Sequence, residues 1–323
     1  MSLSSVYYRL LQISVGLIKN PGNLERMCSW ISRVRCKFSK GPSSLYRLHL
    51  SRVFPQLGNA ELDELIACYW KTHERNLLGL FYLAGKKPDE VLGRVSWKGR
   101  DILERSIKRG RGVLLLVPHY GDERGLHVIM GMAGYKVHVI TSRYTDMPPF
   151  CRQSRLAPGE KWNVMHFPDE SPRWMYSTLE QGGIVHYGST AYGGPGGTWI
   201  TSFGVPVLVP SAPWKLWRRT GCVVLGAYCT QTADMGWELS FRMLDTPDDR
   251  REFAYVAGTA AEEAARLSPG QYEWKNLAIR HRETNTIIRT GVIPVNESEL
   301  EKAAIPEDSD PMIIHPEEVC LLP

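Results

Sequence analysis

Five consecutive apolar residues, Val113-Leu114-Leu115-Leu116-Val117, stand between a glycine and a proline. The run is too short to cross a membrane and carries no polar residue, which is the pattern of a β-strand buried on both faces. Strands of that kind belong to parallel sheets with helices on each side, so this one run asks for an α/β fold. The neighbouring segments agree. Residues 121–132 supply a helix, Gly134-Tyr135 a turn and residues 137–140 a second apolar strand, together a βαβ unit that favours parallel pairing.

Upstream, Leu62, Leu65, Ile66, Tyr69, Trp70, Leu77, Leu78 and Phe81 recur at spacings of three and four, predicting a long packed helix over 60–84. A second helix over 99–109 stops at Gly110-Arg111-Gly112. Downstream, a helix over 173–181 ends at Gly182-Gly183, and strand 184–187 leads through the glycine-rich loop 193–197 to residues 199–204. A helix over 212–220 then precedes a strand over 222–226. The chain therefore reads as a mixed, largely parallel sheet flanked by helices. Residues 1–40 form an N-terminal amphipathic helical segment, 41–285 the main domain, and 286–323, rich in proline and acidic residues, an extension outside the core.

Charge and cysteine content narrow the chemistry. A formal net charge of +5 suits an acidic partner or a membrane surface, and equally an ordinary solvated basic surface. Seven cysteines, at 28, 36, 68, 151, 222, 229 and 320, show neither C-x-x-C nor zinc spacing, so reduced thiols, a cytoplasmic setting and no metal are expected. No stretch approaches the roughly 18 apolar residues of a spanning helix. The run from Tyr7 to Ile18 reads as amphipathic, suited either to a membrane interface or to the protein's own core.

Open α/β sheets carry their sites beyond the carboxyl ends of strands. After the first strand comes Pro118-His119-Tyr120-Gly121-Asp122-Glu123-Arg124-Gly125. Here a carboxylate can hold one imidazole nitrogen while the other accepts a proton. The remaining candidates are weaker. His127 falls within the helix, His138 and His186 within strands, and His166 beside Phe167-Pro168, where core or polar-face roles are expected and no carboxylate is as well placed. The glycine-rich loop matches no phosphate-binding pattern, and with no G-x-S-x-G present Ser189 is only a poor imitation of a nucleophile elbow.

Several short motifs, in order over roughly 230 residues, are similar to those of the lipid A late acyltransferase family. Arg47 to Pro55 resembles its "N-L-x-x-x-F-P", with His49 in place of asparagine, and Gly110 to Gly121 resembles its strand leading to the catalytic histidine. Ser202-Phe203-Gly204-Val205-Pro206 resembles "F-F-G-x-P", Arg218 to Cys222 "R-x-T-G-A", and Ser268-Pro269-Gly270-Gln271-Tyr272-Glu273-Trp274 "x-P-E-Q-[WY]-x-W".

The resemblance implies a glycerol-phosphate-acyltransferase-like fold with N-terminal helices and transfer from an acyl carrier protein or coenzyme A thioester, a co-substrate rather than a cofactor. The acceptor would be a hydroxyl or amine of a glycolipid, lipid or small metabolite, and no nucleic acid is involved. A cytoplasmic protein, peripheral on the inner membrane, would fit. His119 would be the general base. An ungapped match puts Arg124 where the family has its carboxylate, so Glu123, through a shortened loop, is the first candidate partner and Asp122 the second. Arg143 matches an arginine after the second strand, Thr190 stands where an aspartate follows the third, and Arg173 and Lys215 are further substrate-binding candidates. The family's frequent N-terminal spanning helix has no counterpart. A non-catalytic lipid- or carrier-binding relative, or a thioester hydrolase, is the alternative.

Overall fold

The computed structural model describes residues 21–38, 53–141, 159–189, 197–202, 205–232 and 236–273, with short pieces between and beyond them. In chain order its elements begin with helices α1 (Pro21–Phe38), α2 (Asn59–Ala84) and α3 (Pro88–Leu92). These are followed by β1 (Val95–Lys98), α4 (Arg100–Lys108), β2 (Val113–Val117), α5 (Glu123–Met132), β3 (Val137–Ile140) and β4 (Val164–His166). Then come α6 (Arg173–Glu180), β5 (Ile184–Gly188), β6 (Thr198–Ser202), β7 (Val205–Val209), α7 (Ala212–Thr220), β8 (Val223–Gln231), β9 (Trp237–Met243) and α8 (Arg250–Leu267). The two-residue strands β10 (Ile279–Arg280) and β11 (Ile287–Ile288) close the order.

Seven strands form the main sheet in the order β1-β9-β8-β2-β5-β3-β4. From β8 to β4 every pairing is parallel; β9 lies antiparallel to β8, and β1 is parallel to β9. The apolar run is β2, at the centre, with all five residues buried. Its neighbours correct one expectation. β2 and β3 are parallel but not adjacent, because β5 lies between them.

Alternation along β2 divides the interior. Val113, Leu115 and Val117 join a cluster with Leu126, Val128 and Ile129 of α5 and Leu77, Leu78, Leu80 and Leu83 of α2. Leu114 and Leu116 join Met175 and Leu179 of α6, Leu216 of α7 and the small residues Ala254, Ala257 and Ala260 of α8. At about 1.5–3 kcal/mol for each fully buried Val or Leu, these two layers are the main source of stability. A third cluster lies beyond the carboxyl end of β2. Phe54, Leu62, Leu65, Ile66, Tyr69 and Trp70 meet Tyr120, Val207, Ala261, Ala264 and Tyr272 there. The long helix α2 thus supports the sheet with its second half and the strand-end loop with its first.

A second, antiparallel sheet has the order β11-β10-β7-β6, so Ile287–Ile288, within the segment expected to stand apart, is paired with β10. Among the described residues no helix is long and apolar enough to cross a membrane. The segment expected to be an amphipathic helix near residues 7–18 is described only in part; within it Leu10, Ile13 and Leu17 are exposed and Val15 is buried. Cys28, Cys222 and Cys229 are free, but Cys68 is disulfide-bonded, against the expectation of reduced thiols. Sequence spacing missed it because Cys68 belongs to no local cysteine pattern.

Candidate active site

β2 ends at Val117, and the next five residues are held from two sides. Gly121 N donates to Gln271 O at 3.1 Å and Glu273 N to His119 O at 2.8 Å, while Asp122 N donates to Cys229 O of β8 at 2.7 Å. Asn76 of α2 also donates to Gly121 O. Gly121 has φ +60°, and a Cβ there would stand 2.2 Å from Cys229 O, so no other residue fits so close to β8.

Asp122 caps α5. Its Oδ1 accepts from Gly125 N at 2.9 Å, and Oδ2 accepts from Gln231 Nε2 at 2.9 Å and Trp237 Nε1 at 3.0 Å. Burial raises its pKa despite these donors. These three partners are structural groups, and the carboxylate facing His119 is that of Glu123, in the first turn of α5. Glu123 Oε2 lies within hydrogen-bonding reach of His119 Nδ1. A carboxylate only accepts, so Nδ1 carries the proton and Nε2 is the nitrogen with basic character.

Both groups are largely enclosed. Burial disfavours the charged imidazole, but the charge and hydrogen bond of Glu123, with the charge of Glu273, outweigh it and raise His119 above its ordinary pKa. Burial likewise pushes Glu123 upward; His119 and then Arg124 more than reverse it, and its pKa is lowered. Arg124 sits beside the pair, its Nε 4.0 Å from Glu123 Oε1.

Under Glu123 lie two more imidazoles. His127 is one helical turn further along α5 and His186 is on β5, their ring centroids 5.5 Å apart. Both are buried, and burial above all lowers their pKa, to about 3 and about 4 respectively, so both are neutral at pH 7. These two match their expected core roles.

His166 does not. It ends β4, its Nδ1 is 2.9 Å from Glu170 Oε2, and its ring stacks on Trp174 at 3.7 Å. The expectation that only His119 has a well-placed carboxylate is therefore corrected. The turn 167–170 closes with Glu170 N donating to Phe167 O at 3.0 Å, which brings Glu170 back over the strand end. His166 Nε2 is 3.1 Å from His138 Nδ1, so both of its nitrogens are engaged.

Arg173 and Lys215 are exposed on α6 and α7, helices of the opposite face of the sheet from α5, and no described contact joins either to His119. Arg143 and Thr190 lie outside the described residues, as do residues 193–196 of the glycine-rich loop. Among the described residues no group of three His, Cys, Asp or Glu side chains could hold a metal. The amides of Tyr120, Gly121, Asp122 and Gly125 are committed to Pro118 O, Gln271 O, Cys229 O and Asp122 Oδ1, which removes them as donors for a developing oxyanion. Sequence reasoning assigned no role to Gln231, Trp237, Asn76 or Glu273. Only Glu273 had a signal, its place in the C-terminal motif.

A covered, mostly parallel sheet with a histidine–carboxylate pair at the carboxyl end of its central strand defines an α/β protein with its candidate site at the strand end. The chain belongs to the bacterial lipid A biosynthesis acyltransferase family, whose model matches residues 21–276. A stretch of 96 residues is 28% identical to lipid A biosynthesis acyltransferase 2 of Shigella flexneri, covering 30% of this chain and 29% of that protein. Another comparison gives 31% identity over 81 residues to lipid A biosynthesis myristoyltransferase of Escherichia coli (strain K12), 24% of this chain and 25% of the relative. The chain thus matches less than a third of the length of these curated relatives.

Proposed function

We propose that this protein transfers an acyl chain from an acyl thioester, carried by acyl carrier protein or coenzyme A, to a hydroxyl of a lipid or glycolipid acceptor. The observation that carries the reading is the His119–Glu123 pair at the end of β2; family membership supports the reaction class. His119 Nε2 takes the hydroxyl proton as the oxygen attacks the thioester carbonyl carbon. The C–S bond then breaks, and the leaving thiolate takes the proton from the imidazolium, releasing free thiol. Glu123 keeps Nδ1 protonated and stabilises the charged ring between these steps. No cofactor is needed beyond the acyl donor.

The acceptor reaches the site from the inner membrane, on whose cytoplasmic side the protein lies as a peripheral protein. Exposed Leu10, Ile13 and Leu17, with Trp30 and Val34 beside exposed Arg26 and Arg33 on α1, support that placement. Arg143, Thr190, Arg173 and Lys215 remain candidates for binding donor or acceptor.

The test is release of free thiol from acyl-coenzyme A and acyl-carrier-protein thioesters, with and without lipid acceptors. Acceptor-dependent release with an acylated product, lost in His119→Ala, is expected. Release without an acceptor would make the protein a hydrolase, and binding of donor with no release would make it a non-catalytic relative.

A further inference from the structure

Charge is divided unevenly along this chain. Residues 1–52 contain nine lysines and arginines and one carboxylate, Glu25, whereas the rest of the chain contains 30 and 33, so the basic excess lies wholly in the first segment. The single carboxylate is turned inward. Glu25 pairs with Lys71 at 3.0 Å and Arg75 at 3.1 Å on α2, while Leu24, Cys28 and Ile31 of α1 are buried in the core. Arg75 adjoins Asn76, which donates to Gly121 O, so α1 is seated on the part of α2 that supports the loop bearing His119. The outward side of α1 carries no acid. At about 100° per residue, Trp30 and Val34 share one stripe, and Arg26 and Arg33 share a second beside it. Trp30 is 65% exposed, and Val34, Arg26 and Arg33 are exposed with it. Arg26 donates within its own turn, to Asn23 Oδ1 at 2.8 Å and Gly22 O at 3.4 Å. Leu10, Ile13 and Leu17, upstream at spacings of three and four, are exposed too.

From this arrangement we infer that the outward face of α1 is the docking surface for a bilayer of anionic lipids, with Arg26 and Arg33 on lipid phosphates and Trp30 and Val34 among the acyl chains just beneath. The inference rests on the membrane placement given above and adds the lipid charge that the placement requires. An apolar stripe flanked by arginines suits a helix lying in the plane of a bilayer surface, where anionic headgroups attract the cations and the aromatic ring sits at headgroup level. An acidic protein would satisfy the arginines and leave the Trp30–Val34 stripe in water; a bilayer covers both. Docked in this way, α1 brings the part of α2 behind the His119 loop close to the level where a lipid acceptor presents its hydroxyls.

The experiment is co-flotation of the protein, without acyl donor, with vesicles of phosphatidylcholine or of an equimolar mixture of phosphatidylcholine and phosphatidylglycerol. It uses wild type, the double variant Arg26→Gln with Arg33→Gln, and Trp30→Ser. Lys108→Gln with Arg109→Gln, exposed where α4 ends, removes the same charge elsewhere. Wild type is expected to bind the mixed vesicles about tenfold or more tightly than the neutral ones, with the preference shrinking as salt is raised. Each lost arginine weakens binding to mixed vesicles about fivefold, so the double variant loses about 25-fold. Trp30→Ser loses about tenfold on both vesicle types. The charge-matched control binds as wild type does, and thermal unfolding of all variants is expected to match wild type.

Two outcomes overturn the inference while leaving the membrane placement intact: equal binding to neutral and mixed vesicles, and a loss in the double arginine variant no greater than in the control. Binding of acyl carrier protein in place of vesicles, lost in the same variant, overturns it in favour of a protein partner. Failure to bind vesicles of either kind removes the membrane placement and this inference together. The transferase reading is judged apart from all of these, by thiol release with a detergent-dispersed acceptor and its loss in His119→Ala.

Discussion

Two histidine–glutamate pairs occur along the carboxyl edge of one sheet, each with the glutamate four residues after the histidine. His119 and Glu123 follow the central strand β2, whereas His166 and Glu170 follow the edge strand β4. The spacing is shared and the surroundings are not. His119 has its Nδ1 on a buried glutamate and its pKa raised; His166 is gripped at both nitrogens, by Glu170 and by His138, and stacks on Trp174. The carboxylates differ in the same way: the pKa of Glu123 is lowered in an enclosed pair, while that of Glu170 is lowered mainly by the His166 hydrogen bond at an exposed position. The same four-residue spacing thus occurs in two different settings along one sheet edge.

The largest expected break between the pairs is in rate. His119→Ala should lower acyl transfer by about 10² to 10⁴, whereas His166→Ala should leave it within about twofold, measured as thiol release under saturating donor. Next comes Glu123→Gln, expected to cost about 10² in kcat/KM and to change its pH profile. The base must be neutral, so activity rises with pH through the His119 pKa, which Glu123 holds above its ordinary value. Without that charge burial dominates, and the acid limb should move to lower pH. A limb that stays in place would remove Glu123 as the partner.

Asp122→Ala acts on stability instead. It strips Gly125, Gln231 and Trp237 of an acceptor inside the protein, and about 2–3 kcal/mol of unfolding free energy should be lost in denaturant titration. The buried pair His127 and His186 predicts a pH-graded effect. Their folded pKa values lie below the ordinary 6.5, so the folded state takes up fewer protons than the unfolded one. Each costs about 1.4 kcal/mol of stability per pH unit as pH falls below 6.5, down to about 4 for His186 and about 3 for His127. His186→Phe should flatten that slope, and an unchanged slope would show that the ring is not neutral and buried in solution. Smallest of all, Glu170→Gln should shift the melting temperature by about a degree or less, since the carboxylate is solvated.

The central part of this fold was legible because its signals are local. The run 113–117, the strand 137–140 and the helix 212–220 match their sequence readings residue for residue, and the helices over 60–84 and 99–109 differ by a residue at their ends. β1, β4 and β9 were not read. The first two have four and three residues, whereas β9 carries the apolar–polar alternation of a half-buried strand from Trp237 to Met243 and was missed all the same. α8 did carry a signal, since Asp249 accepts from Arg251 N and Glu252 N at its start, but small residues on its buried face hide the apolar rhythm. The histidine could be located from its strand, and Glu123 from the motif with a shortened loop. The separate roles of Asp122 and Glu123 depend on Gln231 and Trp237, more than 100 residues away.

The clasp on the strand-end loop also sets an order of events during synthesis. Glu273, whose amide holds the His119 carbonyl, is translated 154 residues after that histidine. At about 5–20 residues per second the gap is roughly 8 to 30 seconds. Once β5 has been made, β2 can pair with it while the loop bearing His119 still lacks its last tie. A nascent chain therefore carries the base in an unfinished setting, and the reactive geometry appears only when nearly all of the family-matched region has left the ribosome.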